Sequence, residues 1–344
     1  MHHSKLRFGA TLAALLVWAW ASMANAAVEL KVATIAPDGT AWMTQMRAGA
    51  AEIAQRTAGR VVFKFYPGGT MGSDKTVLRK IRIGQLQGGA LTAGSLTEIY
   101  PDAQIYSLPF TIRSYAELDY VRARMDQTIT NGLLQHGFVN LGLGEGGFAY
   151  LMSNKPIRRI EDLKDRKIWV PEGDIISRAV FHDLGVSPIP LPLTDVLTGL
   201  ETGLINTVGS SPVGAIALQW HTRIKFVTDM PILFTYGALV IDHRAFDRIA
   251  PADQKVVRSV MARVFVNLNK QNRLDNEHAI AALRNQGIQF VKFSGSELQR
   301  LHSIADAAVQ RLAQQGVYSP QALKTLEDNL DNYRRSHAAQ STGS

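Results

Sequence analysis

The sequence predicts an α/β protein of two lobes with a cleft between them. Three observations predict it. Segments patterned as strands alternate with segments of helical period from Glu29 onward. The same rhythm starts again near Lys167. After Pro251 the chain runs to Gly287 with neither proline nor glycine, long enough for one helix to lie across both lobes. The chain has 344 residues, room for two cores of ordinary size.

Composition narrows the chemistry. At 46% hydrophobic and 19% charged, the chain is neither a disordered nor a low-complexity polymer. With no Cys, disulfides, thiolate zinc sites, iron–sulfur clusters and cysteine nucleophiles are excluded. The formal net charge is +8, but the basic residues are spread thinly. The densest group, Arg158, Arg159, Lys164, Arg166 and Lys167, is interrupted by Glu161, Asp162 and Asp165, so no nucleic-acid partner is expected.

The elements follow in order. Lys5 and Arg7 precede an apolar run from Phe8 to Ala21 and an Ala24-Asn25-Ala26 end, which predicts an export signal over residues 1–26. No later run is apolar enough to span a bilayer, so a periplasmic chain that does not itself cross a membrane is expected. Glu29–Ile35 alternates as a strand. Asp38 or Thr40 caps a helix with Trp42, Met46, Ala50 and Ile53 on one face. Gly59 ends it, and the β-branched and aromatic run Val61–Tyr66 is a strand. Asp74 opens a helix through Val77, Leu78 and Ile81, Gly84 closes it, and a strand follows at Gln87–Thr92. This rhythm predicts a largely parallel sheet.

In the second half, Ile168–Val170 is a strand, Asp174–Leu184 a helix closed by Gly185, and Pro188–Leu193 extended. Thr194–Thr202 is a helix closed by Gly203, before a strand at Ile205–Val208. Leu78…Ile81…Gly84…Leu86 and Leu197…Leu200…Gly203…Ile205 share one spacing, consistent with related lobes. The long helix after Pro251 carries Val256, Val260, Val264, Leu268, Leu274, Ala281 and Leu283 on its apolar face. Ser296–Gln314 and Pro320–Tyr333 are two more helices, and 336–344 reads as a flexible polar tail.

Cofactor and catalytic signatures fail. Gly142, Gly144 and Gly147 fit G-x-G-x-x-G, but the extended aromatic segment from Phe148 to Pro156 follows where a helix is required. A flexible glycine crossover, suited to a hinge, is the expectation. There is no phosphate loop, no paired-His metal motif and no G-x-S-x-G, so no cofactor, metal or enzymatic activity is expected.

Three stretches carry a resemblance: Phe65–Gly72, Lys155–Pro171 and Pro190–Gly203, with Tyr100-Pro101 and Ser107–Phe110 adding to them. Together they resemble the DctP-type substrate-binding subunit of a TRAP (tripartite ATP-independent periplasmic) transporter, over about Val28 to Tyr333. The resemblance implies a two-lobe periplasmic binding protein fold, type II-like or Venus flytrap, with hinge strands and a long helix bridging both lobes. It implies lobe I at 27–150 plus about 238–282 and lobe II at 151–237 plus about 283–335. It implies capture of a small organic acid in the cleft, and delivery to small DctQ-type and large DctM-type permease subunits.

Carrying the family's site over exposes departures. The family's carboxylate-binding Arg falls at Trp169, a second Arg at Ala149, and an Asn at Ser211. The implied ligand set is Ile35, Ser73, Thr92, Tyr150, Trp169, Pro171, Glu172, Leu193, Ser210, Ser211 and Tyr236. Two readings stand. Either the acid is held by backbone N–H groups, Tyr150, Thr92, Ser210, Ser211 or an Arg from elsewhere such as Arg113, or a neutral, aromatic or cationic solute stacks on Trp169 near Glu172. Service to an ABC importer or a sensor is the remaining alternative for the same fold.

Overall fold

A computed structural model describes residues 27–341 of the chain. The predicted export signal at 1–26 lies outside the described residues, as does 342–344. The strands are β1 (Val28–Thr34), β2 (Val61–Tyr66), β3 (Gly88–Thr92), β4 (Phe138–Ser153), β5 (Trp169–Pro171), β6 (Ile189–Leu191), β7 (Thr207–Ser210), β8 (Phe226–Asp242) and β9 (Gln289–Val291). The main sheet runs β2-β1-β3-β8-β4-β7, with β9 on β8, and β5-β6 form a second small sheet.

The expected largely parallel sheet is corrected. Pairings β1–β2, β1–β3, β5–β6 and β8–β9 are parallel, but β3–β8, β4–β8 and β4–β7 are antiparallel. The reason is β8, which returns between β3 and β4 in the opposite direction. It pairs with β4 from Phe138↔Asp242 to Ser153↔Phe226. One end of this ribbon meets β3 at Thr92↔Gly237, and the other meets β7 at Tyr150↔Ser210. A single pair of strands therefore runs through both lobes, in the two-lobe fold expected.

The glycine motif lies inside β4, with register shifts at Asn140/Gly142 and Glu145/Gly147. No helix follows it, and the strand continues to Ser153. Gly142 is there for space: a Cβ would sit 2.1 Å from Cδ2 of Phe265, on the long helix.

Cap chemistry places the helices. Thr40, Ser73 and Asp174 accept from the N–H groups of Met43, Thr76 and Ser177 at the starts of helices 41–56, 74–82 and 175–183. Gly84 and Gly203, at φ +77° and +71°, follow the ends of helices 74–82 and 196–201, as their shared spacing predicts. The long helix is Pro251–Asn285. It packs on helix 41–56, on β4 and on helix 212–217, so it bridges the lobes. Its apolar face is partly corrected. Val260, Val264, Leu268 and Leu283 are buried and Val256 packs half-buried on the same core, which Val257 also joins, but Leu274 is 43% exposed and Ala281 exposed. The inward positions there belong to Arg273 and Asn276, which bond Glu145 and Gly146 of β4.

The chain end departs from expectation in two places. Tyr318, Leu323, Leu326 and Leu330 share a core with Leu118, Val121 and Met125 of helix 115–135, so the last helix returns to the first lobe. That helix runs from Pro320 to Ser341 rather than ending at Tyr333. Ser336 Oγ donates to Tyr333 O at 2.8 Å and His337 stacks on Tyr333, which extends it into the expected flexible tail.

A buried ion cluster pins the middle of the ribbon. The Glu145 side chain is 2% exposed and accepts from Arg122 Nη1 at 2.7 Å and Arg273 Nε at 2.7 Å. Arg122 also pairs with Asp126, and Arg273 with Asp119. One carboxylate thus ties β4 to helix 115–135 and to the long helix. Removing it takes the buried partner from two guanidinium groups and leaves each only a more exposed aspartate, and breaking a buried pair from one side costs about 3–5 kcal/mol. Glu145→Gln is expected to lower the free energy of unfolding by about 3 kcal/mol in urea titration.

Candidate functional site

A cavity of about 440 Å³ lies where the lobes face one another. The carboxyl ends of β1 (Thr34, Ile35), β3 (Thr92), β5 (Pro171) and β7 (Ser210) open onto it. Each strand turns there into a loop or helix start, the place where α/β sheets bind ligands. The helix caps Ser73, Asp174 and Ser211 line the same space. Helices 74–82 and 175–183 therefore point their N-terminal ends at it, where unpaired N–H groups favour negative charge.

The structure brings together Ile35, Ser73, Thr92, Trp169, Pro171, Glu172, Leu193, Ser210, Ser211 and Tyr236 on this lining. Tyr150 is not among the lining residues. Its ring is partly buried between two core clusters, and burial and Asp229 push its hydroxyl pKa up. Successive residues of an extended strand face opposite sides, and it is the neighbouring Ala149 and Leu151 that line the cavity. Arg113 is also absent from the lining, its backbone N–H bonding Glu117 at 2.8 Å.

Trp169 is 5% exposed, and its Nε1 donates to Leu191 O at 3.0 Å. Trp220 sits edge-on against its ring, with centroids 5.2 Å apart. Trp169 therefore forms wall rather than hydrogen-bond donor. Other hydroxyls are engaged as well. Ser210 Oγ donates to Ser211 O, Ser211 Oγ accepts from Gly214 N–H, and Tyr236 OH donates to Ala103 O.

Sequence reasoning missed Trp42, Lys75, Gln104, Phe181, Trp220 and Ile232, which also line the cavity. Lys75 and Trp42 were findable, each standing two residues beyond a helix cap, Ser73 and Thr40. Gln104 lies in the 3-10 segment Pro101–Ser107 and carried no such signal.

Lys75 is the cation of the lining, against Asp74, Glu98, Glu145, Glu172 and Asp174. The Glu145 charge is taken by its arginines. Burial holds the carboxyls of Asp74 and Asp174 above their ordinary value, although Thr92 donates to Asp74 twice at 2.9 Å and Ser177 N–H to Asp174 at 2.9 Å. Among the described residues, no group of His, Asp and Glu is placed to hold a metal ion, and no helix is long and apolar enough to cross a membrane.

The family of bacterial extracellular solute-binding proteins, family 7 (DctP), matches residues 32–315. The chain belongs to this family. This DctP protein is similar to the sialic acid-binding periplasmic protein SiaP of Vibrio cholerae serotype O1, 20% identical over 282 residues, 80% of this chain and 86% of that one. Its fold matches the sugar acid binding protein DctPAm of Advenella mimigardefordensis in complex with galactonate, with TM-score 0.83, 17% identity, 89% of this chain covered and 99% of that one. It also matches a TRAP periplasmic solute binding protein of Ralstonia eutropha with bound (S)-2-acetolactate, with TM-score 0.82, 21% identity, 89% of this chain covered and 99% of that one. The resemblance read from the sequence motifs is borne out.

The buried carboxyls of the site set a pH dependence. An acid whose folded-state pKa lies above its unfolded value holds its proton longer when folded, so its contribution to stability falls as pH rises through that window. For Asp74 the window opens at the ordinary value of 3.8. Asp74→Asn is expected to flatten the decline of stability with rising pH relative to wild type, read from urea midpoints measured between pH 4 and 7.

Proposed function

We propose that this DctP protein is the solute-binding subunit of a TRAP transporter that closes its two lobes on a small organic acid. It releases the acid unchanged to a small DctQ-type and a large DctM-type permease subunit. Residues 1–26 direct it to the periplasm, and no residue is asked to do chemistry. The lobes are 27–150 with about 238–282, and 151–237 with about 283–335, the last helix packing back on lobe I. Ile35, Ser73, Thr92, Trp169, Pro171, Glu172, Leu193, Ser210, Ser211 and Tyr236 form the contact surface.

The observation that carries this reading is the cavity's place beside the one ribbon that runs through both lobes. Movement in that ribbon changes the distance between the walls. Closure is stabilised only by a ligand that touches both walls at once. The relatives bound to galactonate and acetolactate support an acid, and the helix N-termini at Ser73 and Asp174 together with Lys75 supply the positive field that the missing guanidinium would have given. A second reading, a cationic solute, is favoured by the excess of carboxylates in the lining.

A thermal-shift screen of organic acids, neutral analogues and amines separates the two. An acid at 100 times its Kd is expected to stabilise the purified chain by about 2.7 kcal/mol. Shifts with amines alone would install the second reading. Conversion of a bound solute into product would overturn the transport role.

A further inference from the structure

The polar groups of the cavity are mostly engaged with the protein itself. Trp169 Nε1 is bonded to Leu191 O, Ser210 Oγ to Ser211 O at 3.0 Å, and Thr235 Oγ1 to Gly147 O at 2.7 Å. Thr92 Oγ1 is bonded to Asp74 at 2.9 Å, and Tyr236 OH to Ala103 O. None of these five groups has a proton left to donate to a ligand.

What remains is unevenly placed. Gln104 is 5% exposed, and its side-chain amide has no partner among the described residues. Arg166 Nε is the one side-chain atom sealed and unpaired among them, so the Gln104 amide meets open space, and the space it lines is the cavity. Trp42, half-buried, and Lys75, exposed, line the same cavity, and no hydrogen bond or ion pair holds either side chain. All three belong to the first lobe. A carboxylate only accepts hydrogen bonds, and these three groups all supply N–H donors. The facing wall of the second lobe carries an apolar patch, Trp169, Phe181, Leu193, Leu218, Trp220 and Ile232, beside the polar residues Glu172, Asp174, Ser210 and Ser211.

We infer that the cavity takes a monocarboxylate with an apolar body, aromatic or branched aliphatic, in preference to a polyhydroxylated acid. Its carboxylate sits on Gln104, Lys75 and Trp42, and its body against the wall around Trp169 and Trp220. This rests on the organic-acid reading above and narrows it. A buried hydroxyl with no partner weakens binding by about tenfold or more, so several of them outweigh the contacts of a sugar acid. An apolar body in the same place brings no hydroxyl that needs a partner and gains by leaving water.

Calorimetric titration of the purified chain tests this with phenylpyruvate and 4-methyl-2-oxopentanoate, against D-galacturonate and L-gulonate, and with phenethylamine as the cationic arm. The oxo acids are expected to bind at least about tenfold more tightly than the sugar acids. Gln104→Leu and Lys75→Met are each expected to weaken oxo-acid binding about tenfold, with a ligand-free melting curve still cooperative. Sugar acids binding as tightly as the oxo acids would overturn the inference and leave the organic-acid reading standing. Phenethylamine binding where no acid binds would overturn both. Wild-type affinity in both variants would remove the carboxylate from the Gln104 rim, and silence from every probe would overturn the inference.

Discussion

The antiparallel pairing of β4 with β8 is the constraint from which the rest of the architecture follows. The ribbon carries one sheet across both lobes, extended by β3, β1 and β2 at one end and by β7 and β9 at the other. The long helix then lies across the ribbon and is locked to it by Glu145, Asn269 and Asn276. Glycines at the crossing let the ring of Phe265 approach the strand. The ion cluster and the register shifts lie within a few residues of each other.

Much of the fold was legible because local chemistry is explicit. Thr40 and Asp174 cap where the sequence says they should, helix 74–82 opens at Asp74 as expected with Ser73 as its cap, and Val61–Tyr66 is a strand over its full length. The helix at Tyr115–Gln135 carries explicit signals of its own: Ser114 and Glu117 cap it, and Leu118, Val121, Met125 and Ile129 are buried at helical spacing. β8 was harder. Pro231 and the bulges opposite Ala149 and Tyr150 break its alternation, so no single period runs through its length. A sheet's direction is set by long-range pairing, which no local pattern records, and that is why the antiparallel return was missed.

The site was legible in position more than in role. Loops at strand ends fall on the cavity by topology alone, so most of the residues the family alignment pointed to are found there. What each contributes depends on partners that sequence does not show. Trp169 has its N–H committed to a carbonyl, and Tyr236 has its hydroxyl committed to another. Tyr150 faces the core because its strand alternates and Ala149 takes the inward side. The lining amide that is left unengaged is that of Gln104, in a turn tied by Asp102 to a distant part of the chain.

The last helix bears on that turn. Asp102 accepts from the backbone N–H of Ser319 at 2.6 Å and from its hydroxyl at 2.8 Å, and Arg334 reaches Glu117 and Thr111 O from further along. Asp102 stands two positions before Gln104 in the same short 3-10 turn. The carboxyl-terminal helix is thus a buttress: it braces from behind the turn that meets the solute. Proteolytic trimming or a bulky fusion at this end of the chain would spare the sheet, yet slacken the grip on cargo at a distance.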